Sequence, residues 1–348
     1  MRQFLQCRVA PPSPAARTLT TLAFGGAERG IRSPASAPVP VDPPRRTLHI
    51  PLPAREGGGT AALVYTLEAG GGRAAGAPVV CALHGAPGST FDWRYLSTPL
   101  AAAAPDARLL RIEVPGFGGS SARLSPRGSP AGADLARALA RRALPAVCEA
   151  EGLRLPSPAH APGRAPWVLC GHSIGCEAAQ LLAAELLDLR GGGRAGAGAG
   201  LALALVNPLG LRPHRGMRPM WAVRLAAALL DLPAPLGKQW QQTLRSLWVN
   251  VFRFPARVKT EDVAWGQRRA AAIDWPGLRA NAALLRAAGV RTAVLYSAND
   301  HLVEKAVSRE LCAALAAGDV SVSSDAGHWA NKLQAEEVAA MVARVIAA

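Results

Sequence analysis

No run of about 18 apolar residues occurs in the 348-residue chain, so a membrane-spanning helix of ordinary length is excluded. The six cysteines, Cys7, Cys81, Cys148, Cys170, Cys176 and Cys312, include no C-x-x-C pair and no metal-like cluster. Their spacing therefore encodes neither a disulfide framework nor a zinc site, and a reducing compartment is expected. Lysine, isoleucine and aromatic residues are scarce. No dense basic run or aromatic platform accompanies the formal net charge of +15. Nucleic acid or an anionic surface is one reading of that charge. Arginine enrichment spread along the whole chain is the other, and it fits the missing basic cluster better. No internal repeat is visible.

What is present is apolar mass and punctuation. Half of the residues are hydrophobic, enough for a sizeable core, while Gly (35) and Pro (29) divide the chain into segments. Residues 1–45 are rich in Arg, Ser, Ala and Pro and carry only Glu28 and Asp42 as acids. They lack the apolar stretch of a secretory signal. Two readings stand: an organellar transit peptide, which would place the protein in a chloroplast or mitochondrion, or an uncleaved disordered leader on a cytoplasmic protein.

From residue 47 onward strand-like and helix-like segments alternate. Residues 47–51 and 61–66 read as two opening strands; 78–83, 107–114, 167–170, 201–206 and 290–296 read as buried ones. Helical periodicity marks 91–104, 134–152 and 173–189. Alternation of this kind predicts βαβ units, hence an α/β fold with a mostly parallel sheet covered on both faces. The near-continuous apolar strands agree, since a doubly covered strand buries both sides. Between residues 208 and 280 the pattern changes to helices separated by prolines and rich in Trp and Phe. That position predicts a helical cap over the sheet. The division expected is therefore a leader (1–45), a first core part (46–207), a cap (208–280) and a second core part (281–348).

The strongest chemical signal is Gly171-His172-Ser173-Ile174-Gly175, placed after the strand-like W-V-L-C and before the helix-like C-E-A-A-Q-L-L. Strand, G-x-S-x-G turn and helix together describe a nucleophile elbow. Its glycines permit a tight turn, and the helix N-terminus adds a positive field at the serine. At this point the chain, from about residue 47 to its end, resembles the α/β-hydrolase superfamily, in the branch of serine hydrolases with a helical cap. The resemblance implies an eight-stranded, mostly parallel sheet.

Other motifs follow in that family's order. His84-Gly85-Ala86-Pro87-Gly88 is similar to its H-G-x-P-G turn, which implies the N–H of Ala86 as one oxyanion donor, with the N–H of Ile174 as the second. Residues 115–120, P-G-F-G-G-S, resemble its P-G-x-G-x-S loop, with Glu113 where an acid is usual; loop formation is the role expected of Glu113. Asp300 ends A-V-L-Y-S-A-N-D, where the family carries its acid, and His328 in D-A-G-H-W-A stands where it carries its histidine. The order Ser…Asp…His belongs to this fold. The residue types suit acyl transfer: a base takes the serine proton, and a carboxylate orients the base.

Rivals exist for each role. Glu304 is a substitute acid, Asn207 occupies the alternative acid position but carries no charge, and Asp325 is a turn former. His172 is expected to pack away from the site, His84 to be structural, and His49, His160 and His214 to have no role. Trp221, Trp240 and Trp248 are candidates to line an apolar acyl pocket; packing of cap on core is the alternative for them. No cofactor or metal is implied. The expected activity is hydrolysis of a carboxylic ester, with thioester, amide and lactone also open, on a small-molecule acyl substrate. Acyl transfer to another acceptor and a non-catalytic binding protein are the competing readings. Peripheral contact with lipid stays open, and the sequence carries no signal of oligomeric state.

Overall fold

A computed structural model describes residues 42–70, 76–156, 167–189, 198, 200–252 and 254–348. The leader up to residue 41, with Cys7, lies outside the described residues, as do His160 and most of the two glycine- and proline-rich links.

Eight strands form one sheet. In chain order the elements are β1 (Arg46–Pro51), β2 (Thr60–Glu68), β3 (Val79–Leu83), α1 (Ser97–Ala103), β4 (Arg108–Ile112), α2 (Gly132–Ala138), α3 (Leu144–Glu151) and β5 (Trp167–His172). They continue with α4 (Gly175–Leu189), β6 (Leu201–Val206), α5 (Met220–Ala228), α6 (Leu236–Asn250), α7 (Thr260–Ala271) and α8 (Trp275–Ala287). Last come β7 (Arg291–Ser297), α9 (Lys305–Leu315), β8 (Asp319–Ser323), α10 (Ala330–Leu333) and α11 (Ala335–Ala347). The strand order is β1-β2-β4-β3-β5-β6-β7-β8. β2 pairs antiparallel with β1 and β4; every later pairing is parallel. The mostly parallel α/β sheet expected from the alternation is what forms.

The central strands owe their burial to their composition. All residues of β3, β5 and β6 are buried. Successive side chains alternate between two cores, as strand geometry requires. Val79, Cys81, Leu83, Trp167, Leu169, Leu201, Leu203 and Leu205 enter one core, with α2, α4 and α8. Val80, Ala82, Val168, Cys170, Ala202, Ala204, Ala293 and Leu295 enter the other, with α1 and α11. The second face is the one filled by small side chains.

Two helical segments differ from their sequence reading. Residues 91–104 are a 3₁₀ turn, Thr90–Leu96, running into α1. The long helix expected over 134–152 is interrupted by a π turn, Leu139–Ala143, between α2 and α3. A π turn is a single widened turn inside an otherwise helical run, so the overall helical pattern of the segment does not reveal it.

Between β6 and β7 lie α5, α6, α7 and α8. Leu230, Leu244, Val263 and Ala264 make a small cluster of their own. Trp275, Leu278, Ala282 and Leu285 of α8 instead join the core of the sheet. Helix α7 is tied to the rest of the molecule at two positions one turn apart. Trp265 donates from Nε1 to the Pro115 carbonyl at 3.0 Å and lies so close to Gly116 that a Cβ there would fall 2.1 Å from the indole. Arg269 donates to Glu177 of α4 at 2.5 Å and to the Pro130 carbonyl at 2.8 Å, with the ion pair 1% exposed on each side.

Removing one partner of a buried pair strands the other charge. Arg269→Met should lower the unfolding free energy by about 3–5 kcal/mol. The double variant Arg269→Met/Glu177→Leu should recover most of that loss. Urea unfolding of the three proteins checks both statements; equal stability of native and single variant contradicts the first.

Candidate active site

The turn after β5 is built by close packing. Ser173 has φ +55°, the left-handed region that a non-glycine residue enters at a cost. Its N–H donates to the Val206 carbonyl at 3.1 Å, which ties the turn to the end of β6. Gly171 and Gly175 serve contact rather than dihedral freedom. A Cβ on Gly171 would lie 2.6 Å from the Gly175 carbonyl, and one on Gly175 would lie 2.3 Å from the Leu83 carbonyl. Helix α4 begins at Gly175, two residues later than the sequence suggested.

Three distant side chains meet at this turn. The Ser173 hydroxyl lies 2.9 Å from Nε2 of His328, and Nδ1 of His328 lies 2.8 Å from Oδ2 of Asp300. Asp300 is 8% and His328 3% exposed, while Ser173 stays partly open. Oδ1 of Asp300 accepts from the N–H groups of Leu302 at 2.8 Å and Val303 at 3.0 Å. Burial by itself raises a carboxyl pKa; the adjoining His328 and these donors more than offset it and hold Asp300 at about 2. The carboxylate thus receives Nδ1–H and leaves Nε2 to face the hydroxyl.

Several neighbours hold this chain of groups. Asn207 has φ +43° at the end of β6. Its Nδ2 donates to Asp300 Oδ2 at 3.2 Å and to the Gly327 carbonyl at 2.5 Å. Asn299 accepts from the Gly327 N–H at 2.9 Å. The residue weighed only as an uncharged rival to Asp300 is therefore its clamp. His172 corrects a second expectation. Rather than packing away, it donates from Nε2 to the His328 carbonyl at 2.8 Å, with Trp93 edge-on and Trp329 beside it. Burial drives its pKa down to about 3, so it stays neutral. His84 is structural as expected: Nε2 accepts from the Val114 N–H at 3.0 Å, and Nδ1 lies 2.6 Å from the Gly85 carbonyl. Glu113 shapes the following loop by accepting from the Gly119 N–H at 2.6 Å.

Glu304 stands at the start of α9 and pairs with Arg218, apart from His328. Asp325 and His49 are exposed.

A cavity of about 330 Å³ opens over Ser173, with Ala86, Ile174 and His328 in its wall. Its remaining lining comes largely from the β6–β7 insertion, including Trp240, Leu244, Trp248 and Phe254. Trp221 is not among them and is 68% exposed. On α5 the cavity-facing stripe is Ala222, Val223 and Ala226, the three- and four-residue spacing of one helix face, and Trp221 falls off it. His214 and Gln267 also line the cavity. Neither lies in a motif, and no local sequence signal marks them. Among the described residues no group of three or more His, Cys, Asp or Glu is placed to hold a metal ion, and no helix is long and apolar enough to cross a membrane.

A model of the alpha/beta hydrolase family matches residues 79–341. No functionally curated protein matches the chain in sequence. Among solved structures, a thermophilic esterase from Thermogutta terrifontis is similar with a TM-score of 0.57 at 20% identity, covering 86% of this chain and 99% of that one. An alpha/beta hydrolase fold protein from Burkholderia ambifaria is similar with a TM-score of 0.54 at 18% identity, covering 81% and 93%. A bromoperoxidase from Bacillus anthracis gives 0.53 at 13% identity, covering 86% and 99%. At such identities the likeness is one of fold.

The buried histidines set a pH dependence. His172 and His214 fall from 6.5 to about 3 and about 4 because burial disfavours their charged forms. Unfolding below pH 6.5 therefore takes up protons, and stability falls as pH falls. Between pH 7 and 4.5 each histidine should remove about 2 kcal/mol of stability. Asp300 keeps its contribution over that interval and loses it only as pH falls from about 4 toward 2. Urea unfolding of native protein and His172→Phe at the two pH values checks this: the drop should be smaller in the variant, and an equal drop contradicts it.

Proposed function

The chain belongs to the α/β-hydrolase family, and on that premise we propose that it cleaves a carboxylic ester through an acyl-enzyme on Ser173. His328 is the base and Asp300 the residue that orients it. The observation that carries this reading is the single imidazole within hydrogen-bond distance of both the Ser173 hydroxyl and the Asp300 carboxylate.

The steps follow from the geometry. Nε2 of His328 takes the Ser173 proton as the oxygen attacks the ester carbonyl. Asp300, ionised at any physiological pH, stabilises the imidazolium and keeps its Nδ1 proton in place. The N–H groups of Ala86 and Ile174, at the wall beside the hydroxyl, receive the developing oxyanion; one such donor is worth about 3–4 kcal/mol. His328 then gives its proton to the departing alcohol, and water repeats the sequence on the acyl-enzyme. The left-handed conformation of Ser173 presents the hydroxyl to the cavity and opposite the base.

Helices α5, α6 and α7 act as the cap. The lining by Trp240, Leu244 and Trp248 suits an apolar acyl group, and a volume near the lower end of the ~300–1,000 Å³ range of ligand sites favours a small one. The esterase among the structural neighbours agrees with this class of chemistry.

A fluorophosphonate probe should label the native protein and leave Ser173→Ala unlabelled. His328→Ala and Asp300→Asn should each cut kcat on a chromogenic acyl ester by about 10⁴-fold with the fold intact by circular dichroism. Absence of labelling in folded native protein, or near-native turnover in His328→Ala, overturns the assignment.

A further inference from the structure

Apart from Ser173 and His328 themselves and Arg218, whose guanidinium is paired with Glu304, two polar side chains interrupt the apolar wall of the cavity above Ser173. His214 and Gln267 are 8% and 6% exposed, and both line it. They come from separate parts of the β6–β7 segment: His214 from the loop after β6, and Gln267 from α7. Each spends one end on a backbone carbonyl. Nδ1 of His214 lies 2.8 Å from the Leu302 carbonyl, and Nε2 of Gln267 lies 2.8 Å from the Val223 carbonyl.

A carbonyl oxygen only accepts, so both contacts fix the chemistry of the other end. Nδ1 of His214 must carry the proton. The Gly216 N–H also approaches that nitrogen at 3.2 Å, but it has the Leu302 carbonyl at 3.0 Å as its acceptor. The Gln267 amide must turn its NH₂ toward Val223. What remains is an acceptor on each: Nε2 of His214 and Oε1 of Gln267. Neither has a protein partner among the described residues. Burial lowers the His214 pKa to about 4, so Nε2 keeps its lone pair at neutral pH.

Both acceptors face a half-open, mostly apolar cavity, and a purely hydrocarbon ligand that displaces water from it leaves them unmatched at a cost. We propose that the part of the substrate lodged in this cavity is an apolar body bearing hydroxyl groups, which donate to Nε2 of His214 and Oε1 of Gln267. The natural acyl group is then a hydroxylated one. This rests on the ester-hydrolase reading above only for the word acyl; the recognition itself is independent of turnover.

The test compares matched esters. One series sets p-nitrophenyl octanoate against p-nitrophenyl hydroxyoctanoates; the other sets butyl octanoate against its hydroxybutyl counterparts, followed by pH-stat. Native protein should favour the hydroxylated member of the first series by about tenfold or more in kcat/KM. Gln267→Met, which keeps side-chain length, and His214→Phe, which keeps a ring, should each cut that preference at least about threefold. A preference confined to the second series moves the hydroxyl to the alcohol side and overturns the acyl assignment. No preference in either series, or one unchanged in both variants, overturns the proposal. Binding to Ser173→Ala, followed by tryptophan fluorescence, separates this from failure of the catalytic reading. There the hydroxyoctanoate ester should bind about fivefold tighter than the plain one even if the native protein turns over neither; equal affinity overturns the proposal.

Discussion

The backbone turn at Ser173 is the constraint on which the rest depends. Its φ of +55° is unfavourable for a serine, and nothing in the pentapeptide alone would hold it. It is held by its surroundings. The Ser173 N–H is fixed to β6, while Gly171 and Gly175 let α4 sit directly against β3 and the strand end. A side chain at either glycine would push α4 away and release the turn. The same close packing brings the Leu83–Ala86 segment beside the serine, so one steric requirement sets both the hydroxyl and the wall that carries Ala86 and Ile174.

Much of this was legible in the residues. The α/β alternation and the elbow rest on local patterns, strand runs and a glycine-spaced pentapeptide; the choice of Asp300 and His328 rests on the family resemblance that those patterns bring in. The sheet agrees with that reading, and the three side chains lie within hydrogen-bond distance of one another in series. What the residues hid is three-dimensional. Asn207 carries no charge and so looked inert, yet its amide bridges Asp300 and Gly327 from the neighbouring strand end. His172 sits in the motif, but only the fold reveals that it holds the His328 backbone. Trp221 and Trp240 were indistinguishable as candidates, because the choice between them depends on which face of α5 or α6 turns inward. His214 and Gln267 have no neighbours in sequence that would single them out.

The histidines show how one residue type divides its labour by environment. His84 and His172 have no access to the cavity and serve as rigid spacers between backbone segments. His214 spends one nitrogen on a carbonyl and keeps the other for whatever fills the cavity. Among the described histidines, His328 alone bridges a hydroxyl and a carboxylate. Burial keeps His172 and His214 uncharged, so neither adds a competing positive charge beside the ionised Asp300.

The two faces of the sheet are filled to different depths. On the face under α11 the strands offer Ala82, Ala202, Ala204 and Ala293, and the helix answers with Val338, Ala339 and Val342. Ala326 and Ala330, which bracket His328, belong to that same layer. The spacing between helix and sheet is therefore set by methyl groups, and it fixes the height at which the His328 segment leaves the sheet. An extra methylene at any of these alanines would act like a shim under a hinge, tilting an imidazole that it never touches. The packing of this layer is thus coupled to the placing of the His328 imidazole, even though none of its members lines the cavity.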